Sequence, residues 1–382
     1  MDVEHNYLPQ QYEESGKLSI NHNYLQQQFS DYKDIFKKLE KVVITADFTL
    51  GKYVDSFEKE FSNIIGTKYA VGVGSGTDAL FLSLKSLGIG KGDEVITTPY
   101  TFHATVGSIV AAGATPVFVD IGEDLNINPD LIETAITKKT KAILPVHWSV
   151  MPCDMHKIMD IAQKHKLYVV EDACHAIKAK LGNKSPGSFG NTGCFSLHPL
   201  KNLNIWGDGG VIVTNSKEIH DKLVLLRNHG LVNRNECIVW GYNSRLDSIQ
   251  AVVASHLLKK LDNITESRIR NAKFFDEQLS KIPEIKIPKR NTNAKHVFHI
   301  YVVRAKNRNE LQKYLIQNGI DAKIHYPLPM HLQPAAKNFG YSEGDFPVCE
   351  ETCKSVISLP VHEFITKEQQ AYVVKKIKEF YE

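Results

Sequence analysis

Residues 69–87 read Y-A-V-G-V-G-S-G-T-D-A-L-F-L-S-L-K-S-L. Tyr69–Val73 is short, apolar and β-rich, Gly74-Ser75-Gly76-Thr77 is small and flexible, and Asp78–Leu87 carries a helical pattern. A strand, a tight turn and a helix in that order begin a strand–helix–strand unit. The turn admits two readings. Its backbone N–H groups at a helix N-terminus form a cradle for phosphate, or Ser75 or Thr77 caps the helix and nothing more. A nicotinamide-binding fingerprint needs G-x-G-x-x-G and an acidic residue after the next strand. Gly74 and Gly76 are followed by Ala79 instead of a third glycine, which weakens that reading.

The same rhythm runs outward from this unit. Further β-rich runs occur at Glu94–Thr98, Thr115–Asp120, Ala142–His147, Tyr168–Asp172, Gly193–Leu197 and Val211–Thr214. Helical patterns lie between them, most clearly Asp154–Lys166, with Met155, Ile158, Met159 and Ala162 on one face. The alternation predicts an α/β domain with a mostly parallel mixed sheet flanked by helices. After Arg245 the character changes. Asp247–Ser280 reads as one long helix, His296–Arg304 as a strand, Asn309–Gln317 as a helix and Ile320–His325 as another strand. This predicts a smaller C-terminal α+β domain. The divisions read from the sequence are an N-terminal extension over 1–19, a large domain over 20–250 and a small domain over 251–382.

The chain has 382 residues, net charge +3, 42% hydrophobic and 23% charged residues, an ordinary globular balance. No long basic tract points to nucleic acid. The first residues are polar, unlike a secretory signal, and the longest apolar runs are too short to span a bilayer. None of the six cysteines forms a C-x-x-C pair, so reduced thiols and no metal site are expected, in a cytoplasmic protein.

In an open α/β sheet, ligands bind beyond the carboxyl ends of the strands. Five predicted strand ends carry chemistry there. Beside the glycine turn stand Thr101-Phe102-His103, His147-Trp148, Glu171-Asp172 with His175, and His198 with Lys201. An acidic pair ending an apolar strand is costly without a partner. Asp172 either caps or pairs locally, or faces a pyridinium nitrogen and keeps an aromatic ring electron-poor. An isolated lysine is usually solvated; a buried one has a depressed pKa and a neutral amine free to attack a carbonyl.

These segments resemble the DegT/DnrJ/EryC1/StrS sugar aminotransferases, which have the aspartate aminotransferase fold (pyridoxal-phosphate fold type I). The matching stretches are G-S-G-T-D-A-L at 74–80, G-D-E-V-I-T at 92–97, T-F-H-A-T at 101–105, G-A-T-P-V-F-V-D at 113–120 and V-E-D-A-C-H-A at 170–176. G-C-F-S-L-H-P-L-K-N-L at 193–203, R-N-H-G at 227–230, G-Y-N-S-R-L-D at 241–247, H-Y-P-L-P-M-H-L-Q-P at 325–334 and S-L-P at 358–360 complete them. The resemblance implies that Lys201 holds pyridoxal 5'-phosphate as a Schiff base. It implies that Asp172 contacts the pyridine nitrogen, that His175 lies beside the ring and its hydroxyl, and that Phe102 stacks on the ring face. It implies phosphate contacts at Gly76, Thr77 and Ser196. Asn243 matches an asparagine that reaches the cofactor of the neighbouring subunit, so a homodimer with shared sites is expected.

The implied reaction moves an amino group from an amino acid, glutamate first, to a keto-sugar. Lys201 would carry the proton, with Asp172 and His175 tuning the ring. The acceptor is expected to be a nucleotide-linked keto-deoxyhexose or an eight-carbon keto-sugar acid of the octulosonate type, for cell-surface polysaccharide or lipopolysaccharide. Candidate sugar contacts are His147, Trp148, Trp206, His229, His325, Tyr326 and His331. Two departures fall near the expected substrate. The loop after Lys201 is one residue longer than the family pattern, with Trp206 inserted and Asp208 for glutamate, and His147-Trp148-Ser149-Val150 replaces H-L-Y-G. Rival readings are a pyridoxamine-phosphate sugar dehydratase, which would carry histidine at position 201, a non-catalytic cofactor-binding regulator, and the nicotinamide enzyme already weakened.

Overall fold

The computed structural model describes residues 19–22, 24–148 and 151–382. The N-terminal extension up to Leu18 and the Ser149-Val150 step therefore lie outside the described residues. Three helices come first: α1 (Leu25–Gln28), α2 (Tyr32–Thr45) and α3 (Lys52–Ile65). Strands and helices then alternate: β1 (Tyr69–Val73), α4 (Gly76–Ser86), β2 (Glu94–Thr97), α5 (His103–Ala111), β3 (Thr115–Phe118), β4 (Thr140–Ile143), α6 (Met155–His165) and β5 (Tyr168–Asp172). The short β6 (Lys180–Leu181) precedes β7 (Thr192–Ser196), β8 (Gly210–Thr214) and α7 (Lys217–Leu226).

The main sheet runs in the order β1-β8-β7-β5-β4-β2-β3. Its strands are parallel except β8, which is antiparallel to both neighbours. Helices cover both faces, which is why the strands read as near-continuous apolar runs. One face packs Val71, Leu80, Val95, Ile109, Val170 and Ile212. The other packs Phe57, Phe61, Phe195, Val211, Val213 and Leu257. Register sets the strand ends level: Val73 and Ser196 both pair with Gly210, Asp172 pairs with Cys194, and Val146 bridges Asp172.

A hairpin, β9 (Leu231–Asn233) and β10 (Glu236–Cys237), leads to α8 (Ser248–Leu258) and α9 (Leu261–Leu279). The single long helix expected over Asp247–Ser280 is thus two, with the break at Lys259-Lys260. The physical reason is a change of core. Ala251, Val253, Ala254, Leu257, Leu261 and Ile264 pack under the large sheet, whereas Ala272, Phe275 and Leu279 pack in the small domain. We place the division between the two units inside α9, later in the chain than the boundary read at 250/251.

The small domain holds β11 (Ile285–Lys286), β12 (Ala294–Lys295), β13 (Tyr301–Ala305), α10 (Arg308–Gln317), α11 (Pro347–Ser355), β14 (Val356–Leu359) and α12 (Lys367–Tyr381). Its antiparallel sheet is β11-β13-β14. The strand expected over Ile320–His325 is not one; it makes only isolated bridges, Ile20 to Ile320 and Lys323 to Ser358. The segment is spent on carrying His325 and Tyr326 into the space between the domains. β12 pairs with β6, which ties the small domain to the large one. Among the described residues no helix is long and apolar enough to cross a membrane.

Candidate active site

A cleft of about 390 Å³ opens at the carboxyl ends of β1, β2, β4, β5 and β7. Ser75, Gly76 and Thr77 form one wall. Ser75 caps α4, its hydroxyl accepting the Asp78 N–H at 3.0 Å. The first turn of a helix leaves N–H groups without intrahelical partners, and here that turn is Gly76 and Thr77. The turn is fixed from outside. Ser244 Oγ accepts the Gly74 N–H at 3.0 Å and donates to Asp78 Oδ2 at 2.8 Å. A Cβ on Gly76 would stand 2.7 Å from the Ser196 Cβ, so glycine is what lets α4 approach β7 so closely.

Asp172 ends β5 and is 5% exposed. Thr105 Oγ1 donates to its Oδ2 at 2.8 Å and the Cys174 N–H to its Oδ1 at 3.2 Å. The Thr105 hydroxyl is itself 2.7 Å from that of Thr101. A carboxylate has about four acceptor positions, so these two bonds fix its plane and leave lone pairs for a ligand. Thr101 and Thr105 lie in the quoted T-F-H-A-T stretch, yet only the folded chain assigns them this task.

Lys201 follows β7 in a compact loop. Its N–H donates to the His198 carbonyl at 2.8 Å, and its own carbonyl accepts the Asn204 side-chain amide at 2.9 Å. The side chain is half-buried in the cleft. Burial lowers the ammonium below its ordinary pKa, against the opposing pull of Cys174 and Asp172. The neutral amine is thereby made more available. Cys174 also borders the cleft, and burial pushes its thiol well above the usual range.

Aromatic and imidazole groups close the rest. Trp148 lies against Tyr100, Tyr326 and His175, with ring centroids 5.0, 5.2 and 5.1 Å away. Tyr100 donates its hydroxyl to the His325 carbonyl at 2.5 Å, joining the two domains across the site. Burial holds His175 well below its usual range, with Lys201 and His325 pushing the same way. Burial lowers His325 to about 3, and His22 adds to the shift. Its Nδ1 lies 2.9 Å from the Ser358 hydroxyl. Phe102 is half exposed at the mouth, 6.1 Å from Tyr326. His299, a position without a role in the sequence reading, lines the cleft with its ring 4.4 Å from that of His175.

The cleft thus gathers Lys201, Asp172, His175, Gly76, Thr77, Phe102, Ser196, Trp148, His325 and Tyr326. Five other candidates stand elsewhere among the described residues. His147 is buried beneath the cleft, with Nε2 2.9 Å from Glu171 Oε2 and Nδ1 accepting the Cys153 N–H at 3.1 Å. Trp206 packs on Phe29 and Phe36, 5.6 and 5.8 Å away, and exchanges two hydrogen bonds with Gln250. His331 is buried against Phe346 and Glu350. His229 and Asn243 are exposed at the base of the β9–β10 hairpin.

A flat aromatic aldehyde bearing a phosphate suits this arrangement. The cradle admits an anion, Asp172 offers lone pairs to a ring nitrogen, and Lys201 offers an amine. Trp148 Nε1 is buried and has no acceptor within the protein, a donor still to be satisfied. The mostly parallel sheet, with this lysine and carboxylate at neighbouring strand ends, defines a pyridoxal-phosphate enzyme of fold type I. The chain belongs to the DegT/DnrJ/EryC1/StrS aminotransferase family, which it matches over residues 30–378.

It is 44% identical over 351 residues to a Geobacillus stearothermophilus protein named pleiotropic regulatory protein, across 91% of this chain and 94% of that one. It is 40% identical to UDP-N-acetyl-3-dehydro-alpha-D-glucosamine 3-aminotransferase of Acidithiobacillus ferrooxidans, across 90% of this chain and 93% of that one. The crystal structure of S. venezuelae DesV in complex with a ketimine intermediate matches with a TM-score of 0.93 and 36% identity, over 95% and 99% of the two chains. The protein is an aminotransferase, and pyridoxal phosphate is its cofactor.

Proposed function

We propose that the protein transfers an amino group from an amino acid, glutamate first, to a nucleotide-linked keto-sugar. The observation that carries the reading is the convergence of Lys201, Asp172 and the Gly76-Thr77-Ser196 cradle on one cleft. When bound, the cofactor supplies an electron sink for charge left on the donor's α-carbon. The N–H groups of Gly76 and Thr77 and the Ser196 hydroxyl bind its phosphate. Asp172, held by Thr105 and Cys174, keeps a proton at the ring nitrogen. Lys201 Nζ takes the proton from the α-carbon and returns it, a task that needs a neutral amine. Phe102 and Trp148 shield the reacting side from water.

The acceptor reading draws on the A. ferrooxidans relative, whose name is that of a UDP-sugar aminotransferase. It draws also on the cleft lining, where neutral imidazoles, an indole and a phenol suit sugar hydroxyls and faces. Exposed Ile238 and Trp240, 54% and 92% accessible, follow β10 and precede Asn243 in the chain. A second copy covering them would carry Asn243 and His229 toward the partner's cleft, in a cytoplasmic homodimer.

The test is an acceptor screen with glutamate, following ketoglutarate release and the visible band of the cofactor-loaded protein. Release with an octulosonate but with no nucleotide-linked keto-sugar would overturn the acceptor reading. Retained turnover in Lys201→Ala would overturn the chemical one. The name of the G. stearothermophilus relative favours a regulator as the second reading; a protein that binds cofactor and releases no ketoglutarate with any keto-sugar would support it.

A further inference from the structure

A second, far smaller cavity lies between the cleft and the core that holds Phe61 and Phe195. Its volume, about 10 Å³, is close to that of one water-sized sphere. Lys201 borders it, together with His175, Asn202 and His299. Three of these four carry a buried polar atom with no partner in the protein: Asn202 Oδ1, His175 Nδ1 and His299 Nδ1. Asn202 is 3% exposed. Its amide nitrogen donates to the Val297 carbonyl at 3.3 Å, which fixes the oxygen on the opposite branch. Neither the sequence motifs nor the mechanism above gives Asn202 a role.

Buried polar atoms left unpaired are costly, and a buried water binds where roughly two to four of them converge in enough room. We infer that this cavity is a water site, and that its water positions the Lys201 amine when that amine is not joined to the cofactor. The hydrogen-bond count closes. The water donates to Asn202 Oδ1 and to one imidazole Nδ1, and accepts from the other imidazole and from Lys201 Nζ. Both imidazoles stay neutral under burial, as donor and acceptor tautomers require. Asn202 acts through the water and is a positioning residue. The role in catalysis rests on Lys201 being the cofactor-bearing amine; the water site itself does not.

Two measurements test it. A crystal structure of the cofactor-loaded protein that resolves ordered waters should show one within about 3.2 Å of Asn202 Oδ1 and of an imidazole nitrogen. A dry cavity overturns the inference. The second is the pH dependence of cofactor uptake by the stripped protein, read from the growth of the visible band. Asn202→Leu fills the cavity, removes hydration from the ammonium and moves the midpoint to lower pH by about one unit. Asn202→Ala leaves room for water and keeps the midpoint within a few tenths of wild type, on the order of a weak perturbation. Equal shifts in the two variants would show that the asparagine acts by itself and would overturn the inference. If Asn202→Leu does not fold, the wild-type structure still decides. Wild type that develops no visible band would defeat the Lys201 assignment and leave the crystallographic result standing.

Discussion

Glu171→Gln changes one oxygen for one nitrogen in a fully buried side chain, and its cost can be worked from the bonds. Glu171 Oε1 accepts the N–H groups of Phe189 and Gly190, both at 2.7 Å. Oε2 accepts the Gly187 N–H at 2.7 Å and the His147 Nε2 proton at 2.9 Å. The imidazole cannot switch tautomer, because its Nδ1 already accepts the Cys153 N–H. A glutamine keeps one oxygen. In either orientation two donors lose their acceptor and face an NH₂ group. Each bond to a charged partner contributes about 1.5–3 kcal/mol, so the loss is about 3–6 kcal/mol. Against a total stability of roughly 5–15 kcal/mol that is severe.

The affected loop also sets the site. Gly187 packs on Gly193 so tightly that a Cβ there would stand 2.3 Å from it, and β7 carries Ser196 and leads to Lys201. Cofactor affinity is therefore expected to fall together with stability. The assay is urea unfolding at fixed protein and cofactor concentration, with cofactor affinity by absorbance titration. A stability loss below about 1 kcal/mol, within the ordinary range for a neutral exchange, refutes the reasoning. His147→Phe strips one bond from Glu171 and one from Cys153 but brings no opposing donor, so a smaller loss is expected.

Thr105→Val keeps the shape and removes the hydroxyl that orients Asp172; turnover is expected to drop about 10–100-fold, the rate equivalent of one such bond, with the fold intact by circular dichroism. Gly76→Ala pushes on Ser196 and is expected to weaken cofactor binding at least about tenfold, on the order of 1.4 kcal/mol, as read by absorbance titration. Acid sensitivity follows from buried imidazoles, since burial lowers His22 to about 4 and both His325 and His362 to about 3. Each binds a proton more readily unfolded than folded, so stability is complete above about pH 6.5 and falls toward pH 4. The slope is about 1.4 kcal/mol per unit for each group, and urea midpoints that stay flat from pH 6.5 to 5 would contradict it. If the proposed homodimer forms through the exposed Trp240 face, Trp240→Lys shifts sedimentation toward a monomer and lowers activity with it; an unchanged sedimentation coefficient would count against that interface.

What the chain order alone decided is the framework. Alternating apolar runs and helical patterns specified parallel strands covered on both faces, because only burial on both sides rewards such runs. The positions of Gly76, Thr77, Asp172, Ser196 and Lys201 just past those runs already placed them together in one cleft, because strand ends in a parallel sheet share one edge. Side-chain direction was not legible. His147 and Trp148 are neighbours, yet the backbone turns one into the core beneath Glu171 and the other into the cleft. Trp206, adjacent in sequence to the lysine loop, is drawn away by Phe29 and Phe36. His299 and Thr105 became site residues only because the small domain and α5 close on β5. The helix break at Lys259-Lys260 likewise depended on which core each half met. Local pattern is set by neighbours within a turn or a strand, whereas partners about a hundred residues distant, such as Asn202 and Val297, are chosen only by how the two domains pack.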